Sequence, residues 1–256
     1  MTYTTQRVWA GLTLGLLALG ACRRPVRTTL TLSVAASLTE TIGEIESQYR
    51  LRHKEIDFRN NFGGSGVLAQ EIEQGAPVDV FLSAAARPMD ELQAKGLIDA
   101  GSRHDLLRNK LVLIAPLDSG LQGFAGLTGN GVRQIALGDP GSVPAGQYGE
   151  QTLTALRLFD RVKAKIVLAQ DVRQVLTYVE TGNADAGLVY ATDAQGDGRV
   201  RIVATAPEET HEPIVYPVAV VGAGRESGAA QQFVEYLRSP AAAAIFVKHG
   251  FTMASW

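Results

Sequence analysis

The sequence predicts an α/β fold of two lobes, each a mostly parallel sheet flanked by helices. Short apolar runs with strand character alternate with stretches whose apolar residues recur at helical spacing. This alternation occurs in two successive series, one before and one after about residue 110. A late strand and two closing helices then predict that the chain returns to the first lobe. Composition alone leaves a single doubly wound domain open as an alternative.

The first series begins with a predicted strand over 30–36, followed by a helix that carries Leu38, Ile42, Ile45 and Tyr49 at helical spacing. The elements that follow are a strand at 56–58, a helix at 67–74 before Gly75, a strand at 78–83 and a helix at 88–95 before Gly96. Glycine directly after a helix is a favoured C-terminal cap. We therefore assign residues 30–109 to the first part of lobe 1.

The second series predicts lobe 2 at 110–215 and a return to lobe 1 at 216–256. Its predicted strands lie at 111–115, 134–138, 165–169 and 186–190, with helices at 152–159 and from Val172 to Gly182. Strands at 200–204 and 214–221 and helices at 229–238 and 240–248 complete the chain. Two crossover strands, near 110–116 and 203–218, are expected to form a hinge, the geometry of a cleft that closes on a ligand.

The N-terminal residues predict export and a lipid anchor. Arg7 precedes an apolar run over 8–21 that is short for a membrane span, so residues 1–21 are interpreted as a signal peptide. The string Leu19-Gly20-Ala21-Cys22 resembles a bacterial lipobox, and Cys22 is the only cysteine. A buried structural cysteine is the alternative. We expect lipidation of Cys22, a tether at 22–29, and a location in the periplasm or on the outer face of the cytoplasmic membrane.

Composition and spacing argue against several classes of ligand. The 256 residues are 46% hydrophobic and 20% charged, typical of a globular protein, and the net charge of −2 gives no basic surface for nucleic acid. The four histidines, at 53, 104, 211 and 249, are far apart, so no metal-ligand motif is visible. Neither a dinucleotide fingerprint nor a P-loop is present. We expect no metal ligated by side chains and no cofactor.

Ser37 is the first candidate site residue. It follows the first predicted strand, at the edge where open α/β sheets bind ligands, so its hydroxyl could face a cleft. Ser37-Leu38-Thr39-Glu40 also fits the capping box S-x-x-E, in which the same hydroxyl caps a helix. The residues alone leave both interpretations open.

Gly63-Gly64-Ser65-Gly66 is the second candidate, between a strand and a helix. Glycines allow the backbone to approach an anion, and the first N–H groups of a helix attract negative charge. A plain turn is the alternative. The string is also close to the nucleophile elbow G-x-S-x-G, although Val67 replaces its last glycine, so an exported hydrolase using Ser65 is a further alternative.

Two later helix starts and one strand end complete the pattern. Pro144 suits a first helical position and leaves Ala145 to offer a backbone N–H, while Val172 follows Asp171, a predicted N-cap. Helix initiation explains each of these alone. Tyr190 ends a predicted strand and is either a core residue or a hydroxyl at the same edge. Four strand ends leading to helix starts, two in each half, form a more specific pattern than any one.

Several strings, in the same order over about residues 30–252, resemble the periplasmic molybdate-binding proteins. The strings are Val34-Ala35-Ala36-Ser37-Leu38-Thr39, Phe62-Gly63-Gly64-Ser65-Gly66, Gln74-Gly75-Ala76-Pro77-Val78-Asp79-Val80-Phe81, Gly138-Asp139-Pro140, Val143-Pro144-Ala145-Gly146, Asp171-Val172-Arg173, the stretch 184–193 and Tyr216-Pro217-Val218-Ala219-Val220-Val221. The resemblance implies a type II periplasmic-binding-protein fold with a two-strand hinge. It also implies that two serine hydroxyls, backbone N–H groups and a tyrosine hydroxyl hold an oxyanion, carried over to Ser37, Ser65, Ala145, Val172 and Tyr190.

The resemblance further implies a monomeric, non-enzymatic solute-binding protein that delivers molybdate or tungstate to an ABC permease and its ATPase. A receptor for sulfate or another oxyanion is the nearest alternative, and a membrane-tethered sensor or scaffold without a ligand is another. The chain departs from the family at one position. Gly64 stands where family members often have a second serine, which removes a possible supporting hydroxyl.

Overall fold

The computed structural model of the protein describes residues 1–2, 27–196, 198–222, 224 and 226–254. The predicted signal peptide beyond residue 2, and the tether up to residue 26 with Cys22, lie outside these described residues. Within them, no helix has the length and apolar character needed to cross a membrane.

Two sheets organise the described chain. The strands in chain order are β1 (Thr28–Ala35), β2 (Ile56–Gly63), β3 (Val80–Leu82), β4 (His104–Arg108), β5 (Leu111–Pro116), β6 (Ile135–Gly138), β7 (Ile166–Ala169), β8 (Ala186–Tyr190), β9 (Val200–Thr205), β10 (Val215–Val220) and β11 (Thr252–Met253). The first sheet has the order β11-β4-β10-β3-β1-β2, and the second has the order β7-β6-β8-β5-β9. We use lobe 1 for the unit built on the first sheet and lobe 2 for the unit built on the second.

Helices cover both sheets. In chain order they are α1 (Thr39–Arg50), α2 (Ser65–Glu73), α3 (Ala86–Ala94), α4 (Pro144–Ala155), α5 (Phe159–Val162), α6 (Val172–Glu180), α7 (Ala191–Ala194), α8 (Ser227–Leu237) and α9 (Pro240–Lys248). Short 3-10 turns lie at Ala36–Leu38, Ala100–Ser102, Phe124–Thr128, Lys163–Lys165 and Glu208–Thr210. The predicted glycine caps Gly75 and Gly96 have positive φ angles, as helix-ending glycines do, and so does Gly182 after α6.

The predicted two-lobed α/β fold is confirmed, and each of its sheets is mixed. β1 runs parallel to β2 and β3, and β6 runs parallel to β7 and β8. β10 pairs antiparallel with β3 and β4, β11 with β4, and β5 with β8 and β9. The strands β4, β5, β9 and β10 flank the two passages of the chain between the sheets, after Arg108 and after Thr205. The predicted residue limits of the lobes stay a prediction.

The core of each lobe lies between its sheet and its helices. Leu32 and Val34 of β1 and Ile42 of α1 are fully buried in lobe 1, as are Leu137 and Leu188 in lobe 2. The start of α4 lies unusually close to β6, because a Cβ added at Gly146 would stand only 1.9 Å from the Gly138 carbonyl oxygen. This close approach places the first turn of α4 at the carboxyl edge of the sheet.

The sequence placed some elements wrongly. The helix predicted at 152–159 begins at Pro144 and ends at Ala155, and Arg157 then adopts a left-handed φ of 57°. The helix predicted to begin at residue 67 begins at Ser65. β4 was missed because only two of its five residues are apolar, and β11 because it has only two residues.

Candidate functional site

One small cavity between the lobes is lined by all five residues that the sequence singled out. Its lining comprises Ala35, Ala36, Ser37, Gly63, Gly64, Ser65, Ala84, Val143, Pro144, Ala145, Val172 and Tyr190. Lobe 1 contributes the segments after β1, β2 and β3, and lobe 2 those after β6 and β7 and the last residue of β8. The cavity thus lies at the carboxyl edges of both sheets, where open α/β folds bind ligands.

Ser37 lies in the 3-10 turn that precedes α1. Its hydroxyl is 3.0 Å from the hydroxyl of Tyr216, and both side chains are buried. The capping-box interpretation is wrong, because α1 has Leu38 at its N-cap and no side-chain cap. Glu40, the other half of the proposed box, instead forms a 2.7 Å ion pair with Arg173 of lobe 2. Because Ser37 lies in this 3-10 turn, its side chain does not cap α1 and lines the cavity instead.

Ser65 is the first residue of α2 and is fully buried. Its Oγ accepts a hydrogen bond from the backbone N–H of Ala84 at 2.9 Å. A serine hydroxyl has one proton, and the Ala84 amide occupies an acceptor position. The Ser65 proton is therefore available to a group in the cavity.

The donors from lobe 2 belong to the backbone. Ala145 is the second residue of α4, after Pro144, and Val172 is the first residue of α6. The first N–H groups of a helix have no acceptor within that helix, and they carry its partial positive charge. For the N–H groups of Ala145 and Val172, the described part of the chain offers no acceptor. Asp171 caps α6 as predicted, accepting from the Gln174 N–H at 2.9 Å.

Tyr190 joins the two lobes. Its buried hydroxyl donates to the carbonyl oxygen of Ala84 at 3.3 Å, and its ring packs edge-on against Tyr216, with 5.6 Å between the centroids. Burial raises the pKa of Tyr190 well above the usual value for tyrosine, so the hydroxyl keeps its proton. Tyr190 is thus a core residue and a hydroxyl at the cavity at once.

The electrostatics of the site come from neutral groups. Alanine, serine, glycine, valine, proline and tyrosine make up the lining, which includes no charged side chain. Asp193 lies just behind it and accepts from the Tyr190 backbone N–H at 3.1 Å. Burial raises the pKa of Asp193 to about 7, against the opposing effect of Arg173. No group of metal-ligating side chains occurs among the described residues.

The lobes touch each other at the rim of the cavity. Gly66 donates its N–H to the carbonyl oxygen of Ser142 at 2.9 Å, and a Cβ at Gly66 would lie 2.7 Å from that oxygen. At Gly64 a Cβ would lie 3.0 Å from the Gln170 carbonyl oxygen and 3.1 Å from that of Ser142. A serine in place of Gly64 would crowd this interface, so the glycine allows a close approach of the lobes.

The cavity has a volume of about 10 Å³, room for about one water molecule. A tetrahedral oxyanion is larger than this, so its binding requires the lining to widen locally and the Tyr190 hydroxyl to turn from Ala84 toward the cavity. A second cavity of about 520 Å³ lies at the two passages between the sheets and is lined by Arg108, Lys110 and His211 among others. It contains none of the predicted site residues.

Three residues beside or behind the predicted site were missed by the sequence reasoning. Ala84 bonds to both Ser65 and Tyr190, Tyr216 bonds to Ser37, and Asn109 lies 3.3 Å from the Tyr216 hydroxyl. Tyr216 belongs to one of the strings that carry the family resemblance, which was the one available signal. Ala84 and Asn109 had no signal in the pattern.

Comparisons with known proteins identify the family. The family model described as bacterial extracellular solute-binding protein matches residues 30–252. The chain is 46% identical to the "Putative ABC transporter substrate-binding lipoprotein YvgL" of Bacillus subtilis, over 88% of this chain and 87% of that protein. It is 39% identical to the molybdate-binding protein ModA of Escherichia coli, over 88% and 89%.

The solved structures agree with this assignment. The periplasmic molybdate-binding protein of Azotobacter vinelandii superposes with a TM-score of 0.80 at 29% identity, covering 88% of this chain and all of that one. These relatives are solute-binding proteins, which confirms the prediction that the chain is not an enzyme. The chain belongs to the bacterial extracellular solute-binding protein family.

Proposed function

We propose that this chain is the solute-binding component of an ABC importer and captures molybdate or tungstate between its lobes. One observation carries the proposal: five uncharged hydrogen-bond donors from both lobes line a single cavity at the carboxyl edges of the two sheets. They are the hydroxyls of Ser37, Ser65 and Tyr190 and the backbone N–H groups of Ala145 and Val172. The names of the molybdate-binding relatives support the choice of ligand.

The donor set suits a fully deprotonated, doubly charged oxyanion. Hydrogen bonds to a charged partner contribute about 1.5 to 3 kcal/mol each. Five such donors can supply the roughly 8 kcal/mol that corresponds to a dissociation constant near 1 μM, after the cost of ordering the lobes. The helix starts at Ser65, Ala145 and Val172 add partial positive charge. No counter-ion in the lining is needed.

Selectivity follows from the chemistry and size of the cavity. Hydrogen phosphate carries a proton and needs an acceptor, which this donor set does not provide. Sulfate has the charge and shape of molybdate but is smaller, so it contacts fewer of the donors once the lobes close. A buried donor left without a partner costs about 1 to 3 kcal/mol, which sets the scale of this discrimination.

Capture and delivery depend on movement of the lobes. We propose that residues 30–109 with 216–256 move against residues 110–215 about the two passages of chain between the sheets. The ligand enters when the lobes separate, and the contact between Gly66 and Ser142 forms when they close. The closed form then docks, as a monomer, on the permease of the importer, whose ATPase drives release.

Export and anchoring complete the proposal. Residues 1–21 direct the chain across the cytoplasmic membrane, and Cys22 carries the lipid that holds the binding domain at its outer face or in the periplasm. The name of the Bacillus subtilis relative, a lipoprotein, supports this arrangement. Mass spectrometry of the membrane-bound protein should find an N-terminal Cys22 that carries a lipid, and a Cys22→Ser protein should lack this lipid. An unmodified Cys22 in the wild type would contradict the anchor.

An oxyanion panel tests the proposed function. Thermal unfolding is measured with molybdate, tungstate, sulfate and phosphate, and calorimetric titration gives the dissociation constants. At 100 times its dissociation constant a ligand stabilises the fold by about 2.7 kcal/mol. We expect stabilisation by molybdate or tungstate and a much weaker effect of sulfate and phosphate. Tighter binding of sulfate would reassign the ligand, and no effect of any oxyanion would refute the proposal and favour a sensor or scaffold.

A hydrolase using Ser65 receives no support from the site. Activation of a serine requires a base within hydrogen-bonding distance. The Oγ of Ser65 bonds to a backbone amide, and the lining includes no histidine, aspartate or glutamate.

A further inference from the structure

We propose that Tyr216 and Asn109 are positioning residues that fix the Ser37 hydroxyl as a hydrogen-bond donor and thereby sharpen selectivity for fully deprotonated anions. The inference rests on the proposed function and adds two residues that lie behind those lining the cavity. Tyr216 and Asn109 are absent from that lining. They act through Ser37.

The three side chains form a continuous chain of hydrogen bonds. The Tyr216 hydroxyl is 3.0 Å from Ser37 Oγ, and Asn109 Nδ2 is 3.3 Å from the Tyr216 hydroxyl. Tyr216 is fully buried in β10, whereas Asn109 lies on the passage from β4 to β5. The chain therefore runs from the hinge region to the cavity.

The direction of these hydrogen bonds follows from the amide of Asn109. Its Oδ1 accepts the N–H of Lys110 at 2.8 Å, which fixes the orientation of the amide. Its Nδ2, a donor only, then faces the hydroxyls of Tyr216 and Thr192, the latter at 2.9 Å. Since Asn109 Nδ2 only donates, Ser37 Oγ at 3.0 Å is the acceptor that these contacts offer to the buried Tyr216 proton, and we assign Tyr216 as the donor to Ser37.

Tyr216 stays protonated, since burial raises the pKa of its hydroxyl well above the usual value for tyrosine. The ring of Tyr190 contacts Tyr216, and its hydroxyl donates to the carbonyl oxygen of Ala84. Tyr190 therefore does not need Ser37 as an acceptor. Ser37 thus accepts from Tyr216, and its single proton is free for the cavity. The same logic holds for Ser65, which accepts from the Ala84 amide.

The consequence concerns which anions bind. Because Tyr216 donates to Ser37, the Ser37 O–H already points into the cavity before the ligand binds. The hydroxyl therefore does not have to reorient on binding. Without the Tyr216 hydroxyl, the Ser37 hydroxyl rotates freely and can accept a hydrogen bond as well as donate one. Ser37 can then accept the proton of an oxyanion such as hydrogen phosphate, so the affinity for hydrogen phosphate comes closer to that for molybdate.

The test is a double-mutant cycle on molybdate affinity. Tyr216→Phe keeps the ring and removes the hydroxyl, and should weaken binding about tenfold, or about 1.4 kcal/mol. In a Ser37→Ala background the same change should have almost no effect, because Tyr216 acts only through Ser37. Asn109→Ala removes the donor to the Tyr216 hydroxyl, one hydrogen bond further from the cavity, and should weaken molybdate binding about threefold. The ratio of phosphate to molybdate affinity should rise in Tyr216→Phe.

Tyr49→Phe is the matched control. Tyr49 is another buried tyrosine of lobe 1, in an aromatic cluster with Phe58 and Phe233, and its substitution should leave affinity unchanged. Two results would overturn the inference: unchanged affinity of both Tyr216→Phe and Asn109→Ala, or an equal loss from Tyr216→Phe with and without the Ser37 hydroxyl. In either case, oxyanion binding by the wild type would still support the proposed function. Failure of the wild type to bind any oxyanion would remove both.

Discussion

The two lobes contribute to the site by different means. Lobe 1 offers the hydroxyls of Ser37 and Ser65, each held from behind by a buried group, Tyr216 or the Ala84 amide. Lobe 2 offers the backbone N–H groups of Ala145 and Val172 at helix starts. A hydroxyl rotates and must be oriented by neighbours, whereas a peptide N–H is aimed by the fold itself.

This difference explains why the proposed site includes two residues without polar side chains. In lobe 1 the identity of the side chain should decide binding. In lobe 2 the path of the backbone should decide it, and Tyr190 is the exception that contributes a hydroxyl. Four experiments test this contrast.

The largest effect is expected when the two donor sets are kept apart. Gly66→Ala places a Cβ 2.7 Å from the Ser142 carbonyl oxygen, so the lobes cannot reach the arrangement seen here. We expect molybdate affinity to fall by about 100-fold or more, since each lost donor to a charged ligand costs about 1.5 to 3 kcal/mol. Calorimetry measures the loss, and small-angle scattering should show that the ligand no longer compacts the protein.

Gly43→Ala is the control for this change, because a Cβ at Gly43 meets nothing within 4 Å. That variant should bind as the wild type does. Normal affinity of Gly66→Ala would show that one lobe suffices, and the contrast between the lobes would lose its meaning.

The second effect tests side-chain identity in lobe 1. Ser65→Ala removes a donor to the anion and leaves the buried Ala84 N–H without its acceptor. We expect affinity to fall about 10- to 150-fold and the free energy of unfolding to fall by about 1 to 3 kcal/mol. Ser142→Ala, a neighbouring serine outside the cavity lining, should change neither quantity appreciably. Equal affinities of the two variants would remove Ser65 from the site.

The third effect tests the backbone in lobe 2. Val172→Pro removes the N–H at the first position of α6, where proline is well tolerated, and Asp171 before it is already extended at φ −157° and ψ 174°. We expect an affinity loss of about tenfold or more with little change in folding. Val172→Ala keeps the N–H and should lose less than about threefold. The opposite order would assign the contribution to the side chain.

The smallest effect concerns pH. Burial raises the pKa of Asp193 to about 7, opposed by Arg173 and assisted by Glu40 and Asp171. A raised carboxyl pKa stabilises the fold fully below the unfolded value near 3.8, and this stabilisation is lost as the pH rises through about 7. The ionised Asp193 also repels an anion held beside Tyr190.

Molybdate affinity of the wild type should therefore fall a few-fold from pH 6 to pH 8. Asp193→Asn keeps an acceptor for the Tyr190 N–H and removes the titration. Its affinity should be flat over this range in calorimetric titrations. The same slope in both proteins would assign the pH dependence to another group.

Local patterns in the sequence predicted what local chemistry determines. The alternation of strands and helices, Pro144 at the start of α4 and the Asp171 cap of α6 were all confirmed. The capping box predicted at Ser37 was wrong because the Ser37 hydroxyl bonds to Tyr216, which lies 179 positions away, instead of capping the helix. The local sequence pattern contains the capping box but gives no sign of this distant partner.

The remaining features depend on the contact between the lobes. Ala84 joins Ser65 to Tyr190, and the tight space at Gly64 and Gly66 is created by the backbone of Ser142 and Gln170. No spacing within one segment encodes these contacts, because Ser65 and Ala84 follow different strands and the others require the relative placement of the two sheets.

We propose that neutral donors from both lobes hold one oxyanion. A crystal structure with bound molybdate, phased on the anomalous scattering of molybdenum, tests this directly. We expect a single peak between the lobes, with molybdate oxygens within about 3.2 Å of the hydroxyls of Ser37, Ser65 and Tyr190 and the N–H groups of Ala145 and Val172. A peak elsewhere, for example beside Arg108 and Lys110, or an anion paired with a charged side chain in the cleft, would refute this proposal.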